Sequence, residues 1–178
     1  MILRRGRLPF RSVNRCDAPD YQPGMQRHHL LPRQLLSSPG NRAMLGALGS
    51  ARLGFDDFRA NGLLLPACEA GAVRIGLPLH RGPHRHYNEM VAERVGQIEI
   101  AWSLRRRRMP ESAMEEALMR LGLVQRALRK RLLARGRRLR LNRRDRLGAG
   151  VDFAALDEMA ESLWGATQAA VMPVAAAS

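Results

Sequence analysis

The sequence predicts an α+β fold, organised as a mainly helical single domain. Two long stretches of the second half, residues 84–102 and 111–132, repeat apolar residues at spacings of three and four, as amphipathic helices do. Two short stretches of the first half, residues 25–32 and 63–66, end at proline and are compatible with strands. With 178 residues, the chain is long enough for one domain with a core and a modest appendage.

The charge of the chain predicts a polyanionic partner. The formal net charge is +14, and Lys130 is the only lysine, so nearly all of the positive charge is arginine. Arginine presents a planar fork that binds phosphate oxygens in pairs. We therefore expect nucleic acid as the first partner and an acidic membrane surface as the second.

The cysteines and the N-terminus argue against an exported protein. Cys16 and Cys68 lack the C-x-x-C spacing of a zinc knuckle or redox pair, so we expect separate reduced thiols. The first ten residues are basic but contain no apolar run of signal-peptide length, and no stretch approaches transmembrane length. These features predict a cytoplasmic protein without a membrane span.

Histidines are concentrated in two places, which suggests a site. His80, His84 and His86 fall within seven residues, and His28 and His29 are adjacent. Histidine is the commonest metal ligand and the side chain that most easily moves a proton near neutral pH. Two neighbouring residues of a strand point to opposite faces, so the adjacent pair would not share one role.

The second cluster lies where a helix is expected to begin. Gly82-Pro83 favours a helix start near His84, and His80 lies four residues earlier on the entering chain, so both imidazoles could converge on one ion. His86 would face away from His84 in a regular helix, and Tyr87 would be a core residue. Asn88 is a lower-ranked alternative to His80 if the register differs.

The remaining segments have simpler interpretations. Residues 41–53 predict a short helix, ended by Gly54 and treated as an insertion. Asn61-Gly62 is a turn signal directly before the second strand. Residues 67–76, rich in glycine and alanine, predict a loop. The second long helix carries acidic residues early and basic residues late, which suits the helix dipole, and Gly136 is expected to end it.

Three motifs in order resemble the AHH family of the HNH nuclease superfamily. They are His28-His29-x-x-Pro32, Asn61-Gly-x-x-Leu65-Pro66 and His80-x-x-x-His84-x-x-Tyr87-Asn88. The resemblance implies a ββα-metal core, in which a two-stranded ribbon packs on a helix around one divalent metal ion. The chain departs from the family at Arg27, where alanine is usual, and in the long spacing between the two histidine pairs.

The resemblance implies a metal-dependent endonuclease that hydrolyses phosphodiester bonds. His29 would be the general base, and Asn61 would hold the ribbon in register and orient His29 through a hydrogen bond. His28, His80 and His84 would bind the metal. Histidine ligands favour Zn²⁺ or Ni²⁺, whereas Mg²⁺ prefers oxygen, and Mg²⁺ or Mn²⁺ could still be the working ion. Arg81 and Arg85 flank this motif and are expected to hold the scissile phosphate.

We expect three parts along the chain. Residues 1–24 form an irregular or disordered basic arm, residues 25–136 a nuclease domain, and residues 137–178 a basic and alanine-rich tail with a short helix at 151–164. DNA is favoured over RNA as the substrate. Small nucleases of this kind often serve as toxins or effectors, delivered by a specialised route and matched by an immunity or inhibitor protein.

Two other interpretations stay open. The first is a non-catalytic basic nucleic-acid-binding protein in which the histidines hold a structural metal. The second is a helical module that uses residues 105–146 to bind a partner or a membrane surface.

Overall fold

A computed structural model describes residues 6–134 together with Leu139 and Leu141. Within that part of the chain lie a two-stranded antiparallel sheet and six α-helices. The elements are β1 (Met25–His29), α1 (Pro39–Leu48), α2 (Ser50–Leu53), α3 (Phe58–Asn61), β2 (Gly62–Pro66), α4 (Glu69–Ile75), α5 (Arg85–Arg105) and α6 (Pro110–Leu133), with 3-10 turns at Phe10–Ser12 and Arg33–Leu36. The predicted α+β, mainly helical domain is confirmed.

The ribbon of β1 and β2 carries the first histidine pair. His28 lies opposite Leu63, and His29 lies opposite Gly62. Gly62 allows α3 to turn directly into β2, because a Cβ added to it would lie 2.1 Å from Cδ2 of Phe58. The strand expected after Asn61 is therefore confirmed, and the glycine is required by close packing of the Phe58 ring.

The two long helices form the core with α1. Helix α5 packs against α1 and α6, and its predicted apolar face is buried, including Tyr87, Val91, Val95, Ile98 and Trp102. It begins at Arg85, one residue later than expected, with His84 as its N-cap residue. Helix α6 buries the predicted face through Leu121, Leu128 and Leu132, and it ends at Leu133, so Gly136 lies outside the described residues.

The loop predicted for residues 67–76 is wrong, because Glu69–Ile75 forms α4. Gly76 ends this helix in the left-handed conformation, with φ of 73°, and its N–H donates to the carbonyl of Ala72. Small residues let the helix pack closely: a Cβ on Gly71 would lie 3.2 Å from Sγ of Cys68. The helix expected at 41–53 is present, although Gly49, at φ of 77°, divides it into α1 and α2.

Residues 6–24 follow an irregular path along the domain. The N–H of Phe58 donates to the carbonyl of Leu8 at 2.7 Å, and the N–H of Leu8 donates to Oδ1 of Asp57 at 3.1 Å. The basic run after residue 136 and the helix expected at 151–164 lie outside the described residues, apart from Leu139 and Leu141. The domain boundaries stay predictions. Among the described helices, none has the length and apolar character needed to cross a membrane.

The packing at Gly62 generates a stability prediction. Gly62→Ala should lower the free energy of unfolding by about 1–3 kcal/mol, because the new methyl group overlaps the Phe58 ring. The matched control is Gly96→Ala within α5, where nothing lies within 4 Å of the added Cβ. That change should stabilise the protein by about 0.5–1 kcal/mol. Urea denaturation of both variants measures the difference, and equal effects would contradict the packing argument.

Candidate active site

Three histidines from two distant segments meet at one end of the ribbon. The ring centroid of His28 lies 5.1 Å from that of His80 and 5.6 Å from that of His84, and the last two rings are 4.6 Å apart. One ring nitrogen from each lies within 4.8 Å of the others. The structure therefore brings together the three residues that the sequence proposed as one metal-ligand set.

Local backbone geometry places the two later histidines. The N–H of His80 donates to the carbonyl of Pro66 at 2.7 Å, which ties this residue to the end of β2. Gly82, at φ of 76°, then turns the chain, and the carbonyl of His84 accepts from the N–H of Asn88 in the first turn of α5. Glycine adopts this left-handed conformation without strain.

His28 is the buried member of the cluster. Only 3% of its surface is exposed, and the edge of the Tyr87 ring lies against it, with 5.0 Å between centroids. Burial raises the pKa of Tyr87, so this phenol stays protonated and donates to the carbonyl of Leu30 at 2.7 Å. Nε2 of His28 is buried without a hydrogen-bond partner among the described residues. A buried nitrogen of this kind costs about 1–3 kcal/mol unless something binds it.

Nδ1 of each of the other two rings has a hydrogen-bond partner. Nδ1 of His80 lies 2.9 Å from Oε1 of Gln26, and Nδ1 of His84 lies 3.3 Å from the carbonyl of Leu141. Both partners are oxygens that only accept, so each ring donates from Nδ1 and keeps the lone pair on Nε2. Metal-binding histidines commonly have such an outer partner, which fixes the tautomer and orients the ring.

Burial keeps the cluster neutral. Desolvation lowers the pKa of His28 well below its usual value, and the neighbouring histidines lower it further. Desolvation and then His84 lower the pKa of His80 to about 4. The pKa of His84 is also lowered by burial, against the opposing effect of its bond to Leu141. Neutral imidazoles are the form that binds metals, so the three residues fit a borderline divalent ion and leave coordination positions for other ligands.

His29 has different surroundings from His28. Its ring is half-buried and stacks on Phe10, with centroids 3.7 Å apart and 1° between the ring planes. Nε2 of His29 is enclosed by protein without a hydrogen-bond partner among the described residues. Its pKa is lowered by burial first and then by the charges of Arg33 and Arg27, which outweigh the opposite effect of Asp56. The ring therefore stays neutral and able to accept a proton at neutral pH.

Asn61 supports the ribbon without a hydrogen bond to the His29 ring. Its Oδ1 accepts from the N–H of Leu31 at 2.7 Å and from Nε2 of Gln125 at 3.3 Å. Its Nδ2 donates to the carbonyls of Leu31 and Phe55, both at 3.2 Å. Two donors and two acceptor positions are the full capacity of an amide, so the expected hydrogen bond to His29 is absent. Asn61 instead holds the segment that follows His29.

The remaining predicted residues are exposed and lie next to His80 and His84 in the sequence. Arg81 and Arg85 are exposed and adjacent in sequence to His80 and His84. His86 is also exposed, with Nδ1 3.6 Å from Oε2 of Glu89, and is not part of the three-histidine group. Because His80 completes that group, the alternative that used Asn88 is not needed to form a three-ligand set.

Three supporting residues were missed in the sequence. Gln26 could have been found, because residues two apart on a strand share a face and Gln26 precedes His28 by two. Gln125 interrupts the apolar face of α6, and a polar residue at such a position signals a buried hydrogen bond. Phe10 precedes the ribbon in a segment without periodicity, which carries no comparable signal.

Comparison with known families supports the interpretation of this geometry. A family model described as AHH, a nuclease family of the HNH/ENDO VII superfamily with conserved AHH, matches residues 10–128, more than half of the chain. The chain belongs to the AHH family. Searches of curated proteins and of solved structures gave no significant match. In this AHH protein Arg27 stands where the conserved triplet begins with alanine.

Membership of this nuclease family implies a nucleic-acid substrate, and nucleases of the HNH superfamily use a divalent metal. Nε2 of His28, which no described residue satisfies, is where the fold of this AHH protein would accommodate such an ion.

The cluster predicts stabilisation by added metal. Zn²⁺ or Ni²⁺ at 100 times its dissociation constant should raise the free energy of unfolding by about 2.7 kcal/mol, and a chelator should reverse the effect. His80→Ala should remove most of this stabilisation. His86→Ala is the matched control, since that exposed ring lies outside the cluster. Thermal unfolding with and without metal measures the effect, and an equal response of both variants would contradict the ligand set.

The lowered histidine pKa values predict a pH-dependent stability of the metal-free protein. In the unfolded chain these rings take up protons near pH 6.5, whereas in the folded protein they resist protonation, His80 to about pH 4. The neutral histidines therefore contribute fully to the free energy of unfolding above pH 6.5, and this contribution is lost as the pH falls towards 4. Urea denaturation across this range should show a smaller pH dependence for His80→Asn than for the wild type. An identical pH dependence of stability in the two proteins would contradict the prediction.

Proposed function

We propose that this AHH protein is a metal-dependent endonuclease that hydrolyses phosphodiester bonds of nucleic acid. In this proposal His28, His80 and His84 hold one divalent ion, and His29 is the general base. The observation that supports it most is the convergence of three neutral histidines, one of which, His28, has a buried Nε2 that no described residue binds. A fourth histidine, His29, follows His28 on β1.

The four histidines would divide the work of hydrolysis. A bound divalent ion supplies Lewis-acid stabilisation of the charge on the phosphoryl and leaving oxygens. His29 would take a proton from the attacking water at Nδ1, because Nε2 is enclosed by protein. A general base in position typically contributes about 10²- to 10⁴-fold to the rate. His29 directly follows His28 on β1, which supports a shared site.

Two exposed arginines would bind the substrate. Arg81 and Arg85 are exposed beside the ligand set and could each offer a charge-assisted hydrogen bond to the scissile phosphate. The N-terminus of α5 adds its own preference for anions at the same place. The net charge of +14 supports a polyanionic substrate, and we propose DNA before RNA.

The working ion and the biological role are also proposals. Three histidine ligands favour Zn²⁺ or Ni²⁺ for tight binding, and phosphate oxygens could complete the coordination of Mg²⁺ or Mn²⁺. A role as a toxin or effector with an immunity protein rests on resemblance to the family. Discovery of a neighbouring inhibitor that binds this chain would support it.

A second candidate is a nucleic-acid-binding protein in which the same histidines hold a structural metal. The charge of the chain favours binding under either proposal, and both predict affinity that falls steeply with salt. Binding without strand scission under any metal would select the non-catalytic function.

The decisive experiment is cleavage of plasmid DNA and of RNA with Mg²⁺, Mn²⁺, Ni²⁺ or Zn²⁺. We expect cleavage with at least one ion, loss of cleavage with chelator, and a rate lower by about 10²- to 10⁴-fold in His29→Ala. The matched control is His86→Ala, which removes an exposed histidine outside the cluster.

Two further measurements separate the possible failures. The metal-dependent stabilisation should be retained in His29→Ala and lost in His80→Ala. Equal cleavage by the wild type and His29→Ala with every ion would refute the assignment of the general base.

A further inference from the structure

The N-terminal segment places an aromatic ring directly on the proposed general base. Phe10 is parallel to the His29 imidazole within 1°, at a centroid distance of 3.7 Å. Phe58 supports Phe10 from another side, with its ring edge-on at 5.1 Å and 73°. The Phe10 ring is therefore held between α3 and the imidazole.

The backbone of this segment is attached to the domain at several points. The carbonyl of Leu8 accepts from the N–H of Phe58, and the N–H of Leu8 donates to the carboxylate of Asp57. Pro9 forms an isolated antiparallel bridge with Asp57. The guanidinium of Arg59 donates to the carbonyl of Gly6. These contacts link residues about fifty positions apart in the chain, so they specify where the segment lies.

Arg27 adds a contact from the ribbon itself. Its Nη1 donates to the carbonyl of Phe10 at 2.8 Å. Arg27 and His29 are two apart on β1, so they share one face of the ribbon and both contact Phe10. The conserved family triplet has alanine at this position, and a methyl group could not donate this hydrogen bond.

No polar group of the described residues binds Nε2 of His29 and orients the ring. The amide of Asn61 is fully used elsewhere, and no described residue hydrogen-bonds Nε2. A general base must nevertheless be held in a defined orientation, since a misplacement of about 1 Å can cost about 10²-fold in rate. A stacked ring restricts the imidazole plane without competing for its lone pair.

We propose that Phe10, held by Arg27, is a positioning residue for His29. This inference rests on the proposed function, in which His29 removes the proton from water. The N-terminal segment would then belong to the active site. Arg27, which replaces the alanine of the family triplet, would link this segment to the ribbon. In this proposal Phe10 acts through His29 and contacts neither the metal nor the substrate.

Steady-state kinetics test this role. Phe10→Leu should lower kcat by about 10- to 10²-fold with little change in KM, because a branched aliphatic chain cannot stack on the imidazole. Phe10→Trp should restore most of kcat. Arg27→Ala, which recreates the family residue, should lower kcat less than Phe10→Leu does.

A double variant tests whether Phe10 acts through His29. In the His29→Ala background, Phe10→Leu should cause no further loss of the residual rate. An additional loss in the double variant, or a kcat of Phe10→Leu equal to or above that of the wild type, would overturn the proposal. A rise in kcat would identify Phe10 as a cover over the base instead.

Nuclear magnetic resonance provides a readout that does not require activity. The ring protons of His29, assigned by comparison with His29→Gln, should be shifted upfield in the wild type because they lie over the Phe10 face. Phe10→Leu should remove this shift, whereas Tyr21→Ala, an exposed aromatic truncation in the same segment, should leave it unchanged. Unshifted His29 protons in the wild type would refute the stacking.

The same variant separates the two proposals. Phe10→Leu should retain the metal-dependent stabilisation, since Phe10 stacks on His29 and is not one of the three histidines that would hold the metal. If the wild type cleaves no nucleic acid but shows the shifted His29 protons, the proposed function fails while the placement of Phe10 stands. If the wild type cleaves and Phe10→Leu cleaves equally well, only the positioning role fails.

Discussion

The buried amide of Asn61 is the interaction on which the arrangement of the site depends. Its four hydrogen bonds join the segment after β1, the carbonyl of Phe55 and the side chain of Gln125 on α6. The residue is completely buried, so each unmade bond would leave a polar group without water. These bonds therefore hold the ribbon in a defined position relative to the helices. That position decides where His28 and His29 lie.

A second contact then sets the distance between the ribbon and α5. The phenol of Tyr87 reaches the carbonyl of Leu30, and its ring lies edge-on to His28. Since His84 is the N-cap residue of the same helix, anchoring its first turn to the ribbon also brings His84 and His80 to His28. Convergence of three rings from segments about fifty residues apart thus follows from packing in the core.

Local signals in the sequence were sufficient for the parts of the site that lie close together along the chain. Gly82-Pro83 and the spacing of His80 and His84 predicted their convergence, and the apolar repeat predicted α5. The partners of Asn61 were not predictable, because they come from residues that only the tertiary fold brings near. Helix α4 was missed because small residues, with little apolar contrast, form it. The contact of Phe10 with His29 has no local pattern at all.

Alternation along β1 gives the adjacent residues His28 and His29 different surroundings, which is the basis for the different roles proposed for them. His28 lies buried among the rings of His80, His84 and Tyr87, and no described residue forms a hydrogen bond with its Nε2. His29 stacks on Phe10, and its pKa is lowered by burial first and then by the charges of Arg33 and Arg27, so the ring stays neutral outside the three-histidine cluster. A shift of one residue in the register would exchange these environments. The register of the ribbon therefore separates the proposed metal ligand from the proposed general base in this pair.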